Sequence, residues 1–344
     1  MSGSLSGRAG APMSARRTPW LRRRPSLRTL TIALGAIWLL DGLLQLQPSM
    51  FSRSFTAMLA GSAQGQPWWI LHSVTHVAHD LAPHVAQWNV LFALTQLAIG
   101  FCLLADRAVK PALAASIVWS IAVWWFGEAF GGVFSGNASL VTGAPGAVLI
   151  YGLLALLVWP RDRGLATDRV APSAAQSVVG AWGGRTMWAV LWVGSAALQL
   201  LPANRSDGAI SSAISGGASG EPHVLASLAG DAARLIGSHG ITAAVVLAVV
   251  EAAIGLGVLS RRSNAALAAG IAVSLAVWVV GQDLGGILTG SGTDPNAGPL
   301  FVLLAMALWQ GVPRTAVAGA RRGREAAGRA RAALDARAGA PAGA

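Results

Sequence analysis

The chain has 344 residues, 54% of them hydrophobic and 11% charged, with a formal net charge of +11. Soluble domains carry about 25% charged residues, so this composition excludes a single water-soluble core and makes lipid the natural solvent. The basic excess does not point to nucleic acid either, because the basic residues sit at the chain ends and in short connectors beside apolar runs.

Residues 1–27 read as a disordered cytoplasmic tail rich in Arg, Gly and Pro. Arg16–Arg17 resembles an export signal, but no small-residue cleavage site follows the first apolar run, which therefore reads as an uncleaved anchor. A spanning helix needs about 20 mainly apolar residues. The candidate spans, in chain order, are 29–47, 85–105, 111–127, 144–159, 186–201, 240–259, 265–281 and 299–312. With eight spans, 22 of the 25 basic residues fall on one side, and only Arg53, Arg205 and Arg234 fall on the other. The positive-inside rule then places both termini in the cytoplasm of a bacterial inner membrane.

Two carboxylates lie inside these spans, where insertion costs about 2.5–3.5 kcal/mol each. Asp41 falls in the outer half of the first span and Glu251 near the middle of the sixth. They read either as a proton- or cation-binding pair or as neutral carboxyls hydrogen-bonded across helices. Gln45, Gln47, Gln96 and Gln199 are the expected hydrogen-bond partners. Cys102 is the only cysteine, which excludes an intramolecular disulfide and a Cys-based metal cage.

Residues 70–84 carry four of the six histidines. At about 100° per residue, His72, His76, His79 and Asp80 share one helix face, and Ile70, Val74, Val77 and Leu81 share the opposite one. With Trp68 and Trp69 ahead of it, this segment reads as a helix on the outer membrane surface. Two His at i and i+4 can share a divalent metal ion, with Asp80 or His84 as a third ligand. The face can equally sense external acidity or be merely solvated. No His is placed inside a span, as a haem ligand would be.

Glycine-rich loops follow at 127–145 and 281–299, carrying Glu128 and Asp283. They read as an acidic outer vestibule or as packed turns that close the bundle. The fragment 292–296, which contains Asp294, lacks the ligand spacing of a calcium loop. No phosphate loop, dinucleotide fingerprint, nucleophile elbow or HExxH occurs.

The halves align at an offset near 154. Trp38, Gln45 and Pro48 match Trp192, Gln199 and Pro202; Trp124, Gly127, Gly131 and Gly132 match Trp278, Gly281, Gly285 and Gly286. The expected architecture is an all-α membrane protein of eight transmembrane helices in two parallel-repeat four-helix bundles. Its parts are a tail over 1–27, a membrane half over 28–160, a linker over 161–185, a second half over 186–312 and an Arg/Ala-rich tail over 313–344. Both tails are placed to meet anionic lipid.

Span number, loop lengths and an Arg-led first helix ending in the polar segment Asp41 to Pro48 make each half resemble the DoxX-like four-helix membrane proteins. That resemblance implies either quinone-side redox chemistry or a role the family does not define, and assigns no functional residue. Three functions follow as expectations: a scaffold, transporter-like or accessory membrane subunit, with a membrane or periplasmic protein partner left open; a quinone-side redox subunit; and metal or pH sensing through the His-rich helix.

Overall fold

A computed structural model describes residues 24–161 and 171–311. Nearly all of the two expected tails, and residues 162–170 of the linker, lie outside the described residues. Residues 25–310 form one compact unit. Among the described residues the chain is helical, with no strand and one isolated bridge between Pro160 and Ser177.

The helices are α1 (Leu27–Leu44), α2 (Arg53–Ser62), α3 (Trp68–Leu81), α4 (Val85–Leu104), α5 (Val109–Phe126) and α6 (Ala147–Val158), then α7 (Gly180–Gln199), α8 (Ala209–Gly217), α9 (His223–Ile236), α10 (Gly240–Gly257), α11 (Ser263–Val280) and α12 (Ala297–Leu308). Capping sets several starts. Ser26 accepts the Thr29 N–H at 3.0 Å to begin α1, and Ser52 accepts the Ser54 N–H at 3.2 Å to begin α2. Pro48 opens a separate 3-10 turn beyond the end of α1.

Five stretches are long and apolar enough to cross a membrane: Leu27–Leu44, Trp68–Leu104, Val109–Phe126, Gly240–Gly257 and Ser263–Val280. The other three expected spans are helical but differ. The fourth and eighth are helices of 12 residues, about 18 Å at 1.5 Å per residue, against a hydrocarbon core of about 30 Å. The fifth overlaps α7, which starts at Gly180, takes Arg185 into the helix and ends at Gln199. Gly183, Gly184, Arg185 and Thr186 lower its hydropathy at that end.

The two long connections, α1 to α4 and α7 to α10, are not plain loops. They contain α2 and α8 in addition to α3 and α9. These short helices carry too few apolar residues to stand out by hydropathy. Each instead buries a few side chains, Phe55 and Leu59 on α2 and Ile210 and Ile214 on α8, beneath the neighbouring outer helix.

Packing runs in matching pairs: α1 on α4 and α7 on α10, α5 on α6 and α11 on α12, α2 on α3 and α8 on α9. The short helices α6 and α12 meet at the centre, where Ile150, Tyr151, Leu154, Leu300, Phe301 and Leu304 are at most 1% exposed. Trp124 donates its indole N–H to the Pro145 carbonyl at 2.7 Å, and Trp278 does the same to Pro295 at 2.6 Å. Other bonds join the first part of the chain to the second: Gln47 Nε2 to the Gly292 carbonyl at 3.0 Å, Asn204 Nδ2 to the Ala138 carbonyl at 2.8 Å, and Gln282 Nε2 to the Leu140 carbonyl at 2.9 Å.

Polarity is inverted relative to a soluble bundle. Outward faces present Leu91, Leu94 and Phe101 on α4, Val118 and Ile121 on α5, and Ile241, Val245 and Val249 on α10. Asp41, Gln45, Gln96, Ser195, Gln199 and Glu251 are buried. Apolar surface of this extent is compatible with a multi-pass membrane protein, whose helices meet lipid with apolar side chains and keep polar ones inside.

Candidate functional site

Helix periodicity places Trp38, Asp41 and Gln45 on one face of α1, turned toward α4, α5 and α6. Gln45 is fixed there by Asn89 of α4. Its Nε2 donates to Asn89 Oδ1 at 2.5 Å, and Asn89 Nδ2 donates to the Gln45 carbonyl at 2.8 Å. The Trp38 indole donates to Ser116 Oγ of α5 at 2.9 Å and tilts against the Tyr151 ring with centroids 4.5 Å apart.

These side chains bound a cavity of about 270 Å³. Its walls are aromatic and aliphatic, with Trp38, Trp88, Phe92 and Trp119 prominent, and its polar groups are Asp41, Gln45, Gln96, Glu128, Thr293 and Asp294. Asp41 is 3% exposed and faces Tyr151, yet neither Asp41 Oδ1 nor the Tyr151 hydroxyl completes a well-formed hydrogen bond. Gln96 Oε1 and the Trp119 indole N–H also lack partners. The cavity therefore offers unmet acceptors and one unmet donor on an apolar surface.

At the end of the cavity nearest the Gly-rich loops stand two carboxylates from different loops. Glu128 follows α5, and both its oxygens accept the Val148 N–H at the start of α6, at 3.2 and 3.3 Å. Gly146 lets it approach: a Cβ there lies 2.3 Å from Glu128 Oε2, and the backbone has φ +102°, a region that favours glycine. Asp294 precedes α12. It accepts the Asn296 N–H at 2.7 Å and the Thr293 hydroxyl at 3.0 Å. Burial pushes the Glu128 carboxyl up to about 8, helped by the Asp294 charge and opposed by the N–H groups of Val148 and Ala147. Burial also raises Asp294, against its two hydrogen bonds.

Glu128 and Asp294 also line a polar cavity of about 350 Å³ with Ser62, Gln66, Ser135 and Asn137. Asp294 lines a third, of about 510 Å³, with Asp283 and Glu221. Burial raises Asp283 to about 6, with Glu221 adding to the effect.

Of the residues expected in the polar interior, Asp41, Gln45 and Gln96 share the first cavity. Gln199 and Glu251 lie in the second part of the chain, 0% and 1% exposed, and among the described residues neither side chain completes a well-formed hydrogen bond. Glu251 faces Ser195 of α7. Glu128 and Asp283 do not share a cavity. Asp294, set aside in the sequence as a failed calcium loop, is the residue common to all three cavities. Tyr151 was also missed, although it is the only tyrosine and sits in an apolar run.

The histidine face forms as expected. His72, His76, His79 and Asp80 are exposed, while Ile70, Val74 and Leu81 are buried. His76 Nε2 lies 3.4 Å from Asp80 Oδ2, and His72 Nδ1 lies 3.1 Å from the Trp68 carbonyl. His84 is exposed in the 3-10 turn after α3. Among the described residues, no three His, Cys, Asp or Glu side chains come together as a metal site. Comparison with protein families, curated proteins and solved structures finds nothing that matches this chain.

Proposed function

We propose that the chain is a multi-pass inner-membrane protein that holds a lipid-soluble ring compound with a hydrogen-bonding head, of the quinol type, in the cavity beside Asp41. The observation that carries this reading is the cavity itself. Aromatic walls from Trp38, Trp88, Phe92 and Trp119 suit a flat apolar ring. The unpartnered Gln96 Oε1 and Asp41 Oδ1 accept from a hydroxyl, and the Trp119 N–H donates to a ring oxygen. The DoxX-like plan of the first half supports the same ligand class.

The eight-span, two-half topology with cytoplasmic termini belongs to this reading. Its support is the segregation of basic residues and the matched helix pairs. The short helices α6 and α12 fit because they are enclosed by protein, and irregular backbone at membrane depth is tolerated in such settings. The test is solvent extraction of the purified full-length protein followed by mass spectrometry. Quinone should accompany the wild type and be depleted in Asp41→Asn. Equal quinone in both, at the level of a control membrane protein, removes the ligand assignment.

A further inference from the structure

Glu128 and Asp294 stand between two cavities of opposite character. Outward lies the polar space bordered by Ser62, Gln66, Ser135 and Asn137; inward lies the aromatic space that contains Asp41. Among the described residues, no Arg, Lys or His lines either one, nor the third cavity that Asp294 also borders. The titratable groups that face the two carboxylates are each other, Asp41 on α1 and Tyr151 on α6, with Asp283 and Glu221 across the third cavity from Asp294. Grouped carboxylates without a cation cannot all stay charged in a poorly solvated site, so protons must reside among them.

Asp41 supplies an independent reason to look for traffic through this point. It is 3% exposed, lines the inner cavity, and leaves Oδ1 without a partner. Glu128 and Asp294 are the two residues that line both this cavity and the polar one. We propose that Glu128 and Asp294 form a proton-exchange gate between the outer polar cavity and Asp41. A proton from outside water binds one carboxylate of the pair, making an O–H bond. It then leaves to the Asp41 carboxylate, restoring the first. One proton moves, charge is conserved and no electron is transferred.

Backbone donors fit this role. Val148 N–H holds Glu128 in place whether or not the carboxyl is protonated, and Asn296 N–H does the same for Asp294. The gate rests on the proposed cavity only as its inner terminus, and its test adds no ligand, so either idea can fail while the other stands.

The experiment is infrared difference spectroscopy on the full-length protein in nanodiscs, without added quinol, after a switch from H2O to D2O. The Asp41 carboxyl band is identified by its loss in Asp41→Asn. Its exchange should slow by about a hundredfold in Glu128→Gln and in Asp294→Asn, the scale of a lost general acid–base group. Glu128→Asp should restore exchange toward the wild-type rate. Unchanged exchange in both amide variants overturns the gate, as does failure of Glu128→Asp to restore any exchange when Glu128→Gln remains folded. If Glu128→Gln does not fold, Asp294→Asn decides alone by the same criterion.

Discussion

Gln45 and Asn89 clasp each other twice across α1 and α4, whereas Gln199, at the corresponding place on α7, has neither its Oε1 nor its Nε2 satisfied. Two buried glutamines of the same origin in the sequence pattern therefore have opposite energetic roles. Gln45→Leu strands Asn89 Oδ1, while Asn89 Nδ2 keeps the backbone carbonyl of residue 45, and should lower stability by about 1–3 kcal/mol. Gln199→Leu removes two unsatisfied atoms and should be neutral or raise the melting temperature. Thermal melts of the two variants in nanodiscs compare them directly; equal losses would contradict the assignment.

Glu128 makes stability depend on pH in a fixed direction. Its carboxyl, ordinarily near 4.5, sits at about 8 in the folded protein. Between those values the folded state binds more protons than the unfolded chain, so stability falls as pH rises through the window. Asp283, raised from 3.8 to about 6, adds a decline of the same sign at lower pH. Glu128→Gln should abolish the upper part of the decline and leave the lower part. A melting temperature that rises with pH over this range in the wild type would refute the assignment.

The approach of Gly146 to Glu128 predicts a positional defect. Gly146→Ala puts a methyl 2.3 Å from Oε2 and forces alanine to φ +102°. The expected cost is about 1–3 kcal/mol from backbone strain alone. The variant should also lose the slow pH-dependent decline, because the displaced carboxylate no longer caps α6. Wild-type stability in Gly146→Ala would show that the loop has room the structure does not display.

The topology has its own test. Reporter fusions after residue 311 should fluoresce as a cytoplasmic green fluorescent protein and stay inactive as a periplasmic phosphatase. Fusions within the loop after Gly127 should give the reverse. A carboxyl-terminal phosphatase that is active would reverse the proposed orientation.

Much of the helix plan was legible in the sequence because apolar runs and their flanking charges have few competing readings. α4, α5, α10 and α11 begin and end close to the expected limits. The histidine helix was legible for the same reason, since Ile70, Val74 and Leu81 keep strict helical spacing. The fourth and eighth expected spans form helices of 12 residues, shorter than their apolar runs suggest, because hydropathy cannot tell burial in protein from burial in lipid. α2 and α8 were missed because their amphipathic pattern is brief. Asp41, Gln45 and Gln96 were visible as rare polar residues in apolar runs, but their common cavity was not, since it depends on how α1, α4 and α5 cross. Asp294 stood out only within the fragment 292–296, whose spacing does not fit a calcium loop. Its importance arises only where the two Gly-rich loops meet.

The ligand assignment is tested most directly by titrating decylubiquinol into the full-length protein in nanodiscs and following tryptophan fluorescence. Trp38, Trp88 and Trp119 line the site, so binding should quench emission with a saturable curve. Asp41→Asn and Trp119→Phe should each weaken that binding by about tenfold, as expected for a lost hydrogen bond in a dry site. A linear, unsaturable decrease that is identical in the wild type and both variants would mean the quinol only partitions into lipid, and would contradict the account.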